Sequence, residues 1–114
     1  MAALHGTSAT EALGRLESLC LMGAANIAPR GLREQIARAV NLVVIVNRVH
    51  NGGFRVHQIT ELQGVDLDAF RLNDIFYYRV EGAEGGFHPT GYVPLFFEDM
   101  RHAGIEVDFG IFRE

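Results

Sequence analysis

The sequence predicts an α+β fold, with helices followed by a small antiparallel β-meander and a C-terminal helix. Apolar residues recur at three- and four-residue steps through the N-terminal third, the mark of amphipathic helices. β-Branched and aromatic runs punctuated by glycine then fill the middle, and a helical period returns after Pro94. Helices gathered before a meander exclude the regular alternation of strand and helix that builds parallel sheets. Residues 1–114 read as a single module, without internal repeats or low-complexity segments.

The first helix starts at a capping-box spacing, Ser8-Ala9-Thr10-Glu11, where the Ser8 hydroxyl accepts from the Glu11 amide and Glu11 reaches back. Leu13, Leu16, Leu19 and Cys20 form its apolar stripe, Arg15 and Glu17 turn outward, and Gly23 stops it. Pro29 opens a second helix, because its missing N–H costs nothing in the first turn. Leu32, Ile36, Ala39 and Val40 are its stripe, and Asn41 ends it. The run Leu42-Val43-Val44-Ile45-Val46 predicts a strand covered on both faces. Asn51-Gly52-Gly53 is a hairpin signal, and Phe54 to Leu62 is the return strand. Gln63 to Ala69 reads as a connection. Phe70 to Val80 is a third extended stretch, either continuous or broken near Asn73-Asp74. Four glycines and a proline make Glu81 to Gly91 a loop. Pro94 to Ala103 predicts a short helix with Phe96, Phe97 and Met100 inward and Gly104 at its C-cap. The tail, Val107 to Phe112, is too apolar to stay solvated, so it docks.

Composition removes several function classes. With 48% hydrophobic and 21% charged residues, the chain is globular rather than disordered. A net charge of -4 gives no electrostatic reason for a nucleic-acid partner. All ten basic residues are arginine, so Schiff-base and P-loop lysine chemistry are closed to it. Cys20 is the only cysteine and reads as a small buried hydrophobe. The longest apolar run is far short of the ~20 residues that span a bilayer, and the start has no signal-peptide pattern. These features predict a cytoplasmic chain.

Side chains with catalytic potential are scattered. His5, His50, His57, His88 and His102 show no zinc-ligand spacing, although His50 and His57 flank the predicted hairpin. Asp66/Asp68 sit in a turn-like connection, and Glu98/Asp99 diverge on a helix, so neither pair converges for acid–base work. Gly52-Gly53 and Gly85-Gly86 lack the form of a phosphate-binding loop. Phe76, Tyr77, Tyr78, Phe87, Tyr92, Phe96 and Phe97 make the C-terminal half aromatic-rich, which serves a core or a partner interface.

Taken in order, these segments resemble the C-terminal portion of the CpaF/TadA-type ATPases of Flp pilus assembly, within the type II/type IV secretion ATPases. His5-Gly6-Thr7-Ser8 followed by a helix carrying Arg15-Leu16-Glu17 resembles the family's His box, with Gly6-Thr7 where Ala-Asn is usual. Leu32 to Ala37 resembles the next helix and Asn41 to Arg48 the strand after it. Ile59-Thr60-Glu61 and Phe87-His88-Pro89-Thr90-Gly91 are further landmarks in matching order.

The resemblance implies the C-terminal part of a RecA-like motor domain that assembles as a hexamer with ATP and magnesium between subunits. It places His5 as the His-box, catalytic-site histidine, either near the γ-phosphate or linking it to subunit motion. The phosphate loop and the acidic metal-side motif precede the His box in the family, so this module on its own has no cofactor and no metal site. The partners implied are the missing N-terminal half or neighbouring subunits, and an inner-membrane pilus or secretion platform to which the assembled motor is peripheral. Arg15 and Arg33 face solvent or a neighbouring subunit. The rival expectation is a stand-alone, non-enzymatic interaction domain with a closed core and few bare strand edges. A third, a small hydrolase using His57 with Asp66 or Asp68, has no nucleophile at a recognisable spacing.

Overall fold

The computed structural model describes all residues except 1, 2, 5, 24–27, 50, 51, 67, 68, 82, 83 and 114. Helices α1 (Ala9–Gly23) and α2 (Pro29–Ala39) precede four strands, β1 (Leu42–Arg48), β2 (Phe54–Asp66), β3 (Ala69–Glu81) and β4 (Glu84–Pro89). Helix α3 (Leu95–His102) and a 3-10 turn (Phe109–Phe112) close the chain. All strand pairs are antiparallel, in the order β1-β2-β3-β4. The fold is therefore α+β, with one strand more than the sequence predicts.

The sheet separates two sets of helices. Leu62 is buried against Leu13, Leu32 and Ile36, with Val43, Phe70 and Leu72 packed around them. That puts α1 and α2 on the face carrying Leu62. Glu61 points the opposite way, as alternation along a strand requires, and it meets the start of α3. Phe76, level with Ile59 on that second face, stacks on Phe112 of the 3-10 turn at 5.7 Å between ring centres. The tail docks as predicted, with Phe112 only 4% exposed.

On α1, the stripe is rotated from the predicted one. Leu13, Leu16 and Cys20 face the core, but Leu19 is exposed, and Glu17 turns inward. Residues 13, 17 and 20 share a helix face, and the Glu17 carboxylate takes the Arg33 guanidinium of α2 at 2.9 Å. Arg33 is thus engaged within the module rather than turned to solvent. Arg33→Ala is expected to cost about 1 kcal/mol in urea unfolding, the worth of a partly exposed ion pair; no change would mean the pair is idle.

Two strand expectations need correction, and a third, left open between a continuous and a broken strand, resolves as continuous. β1 is not covered on both faces. It lies at the sheet edge with Ile45 buried, while Val44 and Val46 are 49% and 50% exposed. An apolar run reads alike for a doubly covered strand and for one awaiting cover. Gln63 to Asp66 is not a connection, because β2 continues to Asp66 through a bulge between Leu62 and Gly64. β3 is continuous, and the irregularity near Asn73-Asp74 is a second bulge that leaves Ile75 without a β2 partner and 2% exposed.

The predicted loop at Glu81 to Gly91 contains β4. Glycine there signals close approach rather than a turn. A Cβ on Gly85 would collide with the Tyr78 hydroxyl and ring, which lie across it. The Arg55 guanidinium covers the same ring at 4.1 Å from its centre. An aromatic side chain laid over an edge glycine restores the packing that glycine gives up. Gly85→Val should displace Tyr78 and cost about 1–3 kcal/mol, as overpacking does; near-UV circular dichroism of the tyrosines reports it.

Candidate functional site

Two of the landmarks, far apart in sequence, meet on one polar network. Thr60 donates to the Asp74 carboxylate at 2.8 Å. The Thr90 hydroxyl donates to the Asp74 carbonyl at 2.5 Å, and the Thr90 amide to the Ile75 carbonyl at 2.9 Å. These bonds pin the segment after β4 to β3. The chain then turns through Gly91, whose φ of 92° suits glycine, and delivers Tyr92 and Pro94 beside Glu61.

Glu61 is the centre. It is 5% exposed, and a buried carboxylate must be surrounded by donors. The Tyr92 phenol donates to Oε1 at 2.6 Å, and the Leu95 amide donates to Oε1 and Oε2 at 3.2 and 3.0 Å. Leu95 opens α3, so the carboxylate also meets the positive end of that helix. The Gln63 amide donates to the Tyr92 hydroxyl, completing the set. Gln63, which the β2 bulge leaves without a β3 partner, is two positions from Glu61 and so lies on the same face, where both reach the same phenol.

Burial, reinforced by the hydrogen bond to Glu61 and its charge, pushes the Tyr92 phenol up to about 12. The folded form therefore holds its proton above the ordinary tyrosine value near 10. Stability from this group is complete below pH ~10 and is lost as pH rises toward ~12. Alkaline unfolding followed by far-UV circular dichroism should show this loss in the native chain, and Tyr92→Phe should lack it. The network holds α3 on the sheet.

The position assigned by resemblance, His5, lies outside the described residues. The start of α1 after it is ordered as predicted. Ser8 Oγ accepts from the Glu11 amide at 3.1 Å, and the Glu11 carboxylate reaches back to the Thr7 amide and hydroxyl. The bonds from Thr7, with Arg15 nearby, hold the Glu11 carboxyl below its usual range. Those contacts contribute at neutral pH and weaken as pH falls through the lowered value.

The remaining candidates do not assemble. His50 and Asp68 fall outside the described residues. His57 and Asp66 sit nine positions apart on β2, about 30 Å along an extended strand, so they form no dyad. His88 packs its ring on Tyr77 across β3 and β4 at 5.9 Å, and His102 is exposed at the end of α3. Glu98 bonds Arg101 along α3 at 2.6 Å, away from Asp99. Among the described residues, no three histidines, cysteines or carboxylates are grouped to hold a metal, and no helix is long and apolar enough to cross a membrane. An open depression lined by Arg101 and residues 104–109 shares no residue with the Glu61 network.

Sequence reasoning missed Glu61 as the centre of the site. The available signal was a carboxylate between apolar residues in a strand, Ile59-Thr60-Glu61-Leu62, where alternation alone would predict an exposed side chain. No family model matches the chain, and no curated protein matches it.

Proposed function

We propose that this chain is the C-terminal portion of a pilus-assembly or secretion ATPase of the CpaF/TadA type, and that it hydrolyses no ATP by itself. In this reading it packs against a phosphate-binding half or neighbouring subunits of a cytoplasmic motor, which works peripherally on an inner-membrane platform. His5 contributes at the nucleotide only when the rest of the motor supplies the phosphate cradle and magnesium site. The ordered series of landmarks supports the family. The exposed apolar strand β1 supports a part that packs on more protein over a self-contained domain, and it is the observation that carries the reading.

The dimensions agree. The radius of gyration is 16.2 Å, against ~13 Å for a compact chain of about 100 residues. A domain that closed its own core would be tighter. A stand-alone interaction module remains the alternative, and its weakness is the bare strand edge. The test is phosphate release from magnesium ATP by the purified chain, alone and joined to a phosphate-binding half encoded in frame upstream. Turnover only in the joined form is the expected result. Turnover by the chain alone would overturn the proposal, as would a joined form that stays inactive.

A further inference from the structure

The two edges of the sheet are built differently. β4 is short, carries Gly85 and Gly86, and ends at Pro89, which has no N–H to offer; such an edge resists pairing. β1 has seven residues without glycine or proline, and its single charge, Arg48, is its last residue. An edge of that kind is a template for another strand.

Hydrogen bonds at the two ends of β1 fix which of its backbone groups are open. The Asn41 carbonyl accepts from the Leu62 amide, and the Val49 amide donates to the Gly53 carbonyl, so residues 41 and 49 turn these groups toward β2 and its turn. The irregularity in the β1–β2 pair is the extra residue His57 on β2, which leaves the alternation along β1 intact. Val43, Ile45 and Asn47 therefore bond inward as well, and Leu42, Val44, Val46 and Arg48 turn their N–H and C=O groups outward. The same positions carry the exposed side chains. Leu42, Val44 and Val46 are exposed aliphatics, whereas Val43 packs on the core and Ile45 is buried.

An occupant of this edge must meet outward groups at alternate positions and cover aliphatic side chains at those same positions. β1 of a second copy does both. About a two-fold axis at Ile45, antiparallel pairing sets Val44 opposite Val46 of the copy and Leu42 opposite Arg48 of the copy. Each outward residue then faces an outward residue, and their N–H and C=O groups satisfy one another in about eight bonds. A shift of one residue would set outward groups against inward ones, and a shift of two would leave one end of the strand unpaired. The same axis gathers Val44 and Val46 of both copies into one aliphatic cluster, the kind of β-branched cross-strand pairing that stabilises sheets.

Charge permits this contact. The two Arg48 residues fall at opposite ends, about 20 Å apart along extended strands, more than two of the ~8 Å lengths over which salt screens charge. No other charge lies on β1 between them. The assembly also closes, because the joined sheet ends at β4 on both sides, the protected edge, so pairing stops at two copies.

We infer that this chain forms a two-fold dimer by antiparallel pairing of β1 with β1 of a second copy, centred on Ile45. The inference rests on the reading that β1 packs on more protein, and it names that protein as a second copy. Seven residues a side lie at the small end of specific interfaces, so the dissociation constant is expected on the order of 10–100 µM.

Sedimentation of the full chain from about 1 to about 500 µM reads the oligomeric state across that range. Residue-resolved amide exchange at both extremes locates the contact. The expected result is a monomer–dimer equilibrium in which the amides of Leu42, Val44, Val46 and Arg48 slow with concentration. Those of Val43, Ile45 and Asn47 should be protected throughout, and β4 should not change. Val44→Lys, at an exposed position, should leave the far-UV circular dichroism unchanged and weaken dimerisation by about ten-fold or more, because a charge would meet Val46 of the copy. Val46→Lys should do the same. A chain still monomeric at the highest concentration overturns the inference. So does a dimer that both lysine variants form equally well, or one whose protection lies outside β1. Protection of β1 that appears only with added anionic vesicles or an added peptide would assign the edge to another occupant and overturn it too. ATP turnover is not read here, so failure of this inference and failure of the motor reading show in different assays.

Discussion

Glu61→Ala is expected to destabilise the chain by about 3 kcal/mol and to release α3 from the sheet. The substitution removes the acceptor for the Tyr92 phenol and the Leu95 amide. Hydrogen bonds to a charged group contribute about 1.5–3 kcal/mol each, and buried donors left without a partner add to the loss. Glu61→Gln keeps one carbonyl oxygen in place and should cost roughly half as much. Urea unfolding gives the magnitudes, and amide exchange localises them. Residues 95–102 should exchange far faster in the alanine variant, while α1 and α2, on the opposite face, stay protected. Uniform loss of protection across the sheet would mean that Glu61 supports the whole core rather than the C-terminal arm.

Phe112→Ala should cost about 3 kcal/mol, within the range for truncating a buried phenylalanine. Its ring meets Phe97 edge-on at 4.6 Å and stacks on Phe76 at 5.7 Å. Those contacts are the apolar counterpart of the Glu61 clamp: one holds α3 by its first turn, the other by the segment that follows it. None of the described residues of α3 is fully buried, so the helix depends on both. The two substitutions should therefore be sub-additive. Once the arm is free, the second change has little left to remove, and the double variant should fall short of the sum by more than about 1 kcal/mol. Strict additivity in urea melts would show two independent supports.

Much of this architecture is legible in the sequence because local chemistry and tertiary structure agree there. Ser8 and Glu11 mark the start of α1, Pro29 the start of α2, and Gly104, with φ 86°, the end of α3. The disagreements share a cause: a neighbour distant in sequence decides the outcome. Glu17 looks like a solvent-facing charge until Arg33 arrives from α2. Gly85 looks like a turn until Tyr78 lies over it. Gln63 and Gly64 look like a connection because a bulge breaks the two-residue alternation by which a strand is recognised. The exposure of Val44 could not be read from composition, since an aliphatic run looks the same whether or not its cover belongs to the same segment.

The candidate site divides the same way. The resemblance points to His5, which lies outside the described residues, while the buried chemistry gathers at Glu61, Gln63, Tyr92 and Thr90. A carboxylate in a strand announces itself only when its donors are known. Here they come from about thirty residues further along, and only the fold brings them to it.

Calorimetric titration of the purified chain with ATP and magnesium asks whether it holds nucleotide by itself. The chain has no lysine and no glycine-rich phosphate loop of the P-loop form. Heats indistinguishable from dilution are expected. Saturable, magnesium-dependent binding in the micromolar range or tighter would contradict it, because the chain would then hold a triphosphate anchor of its own.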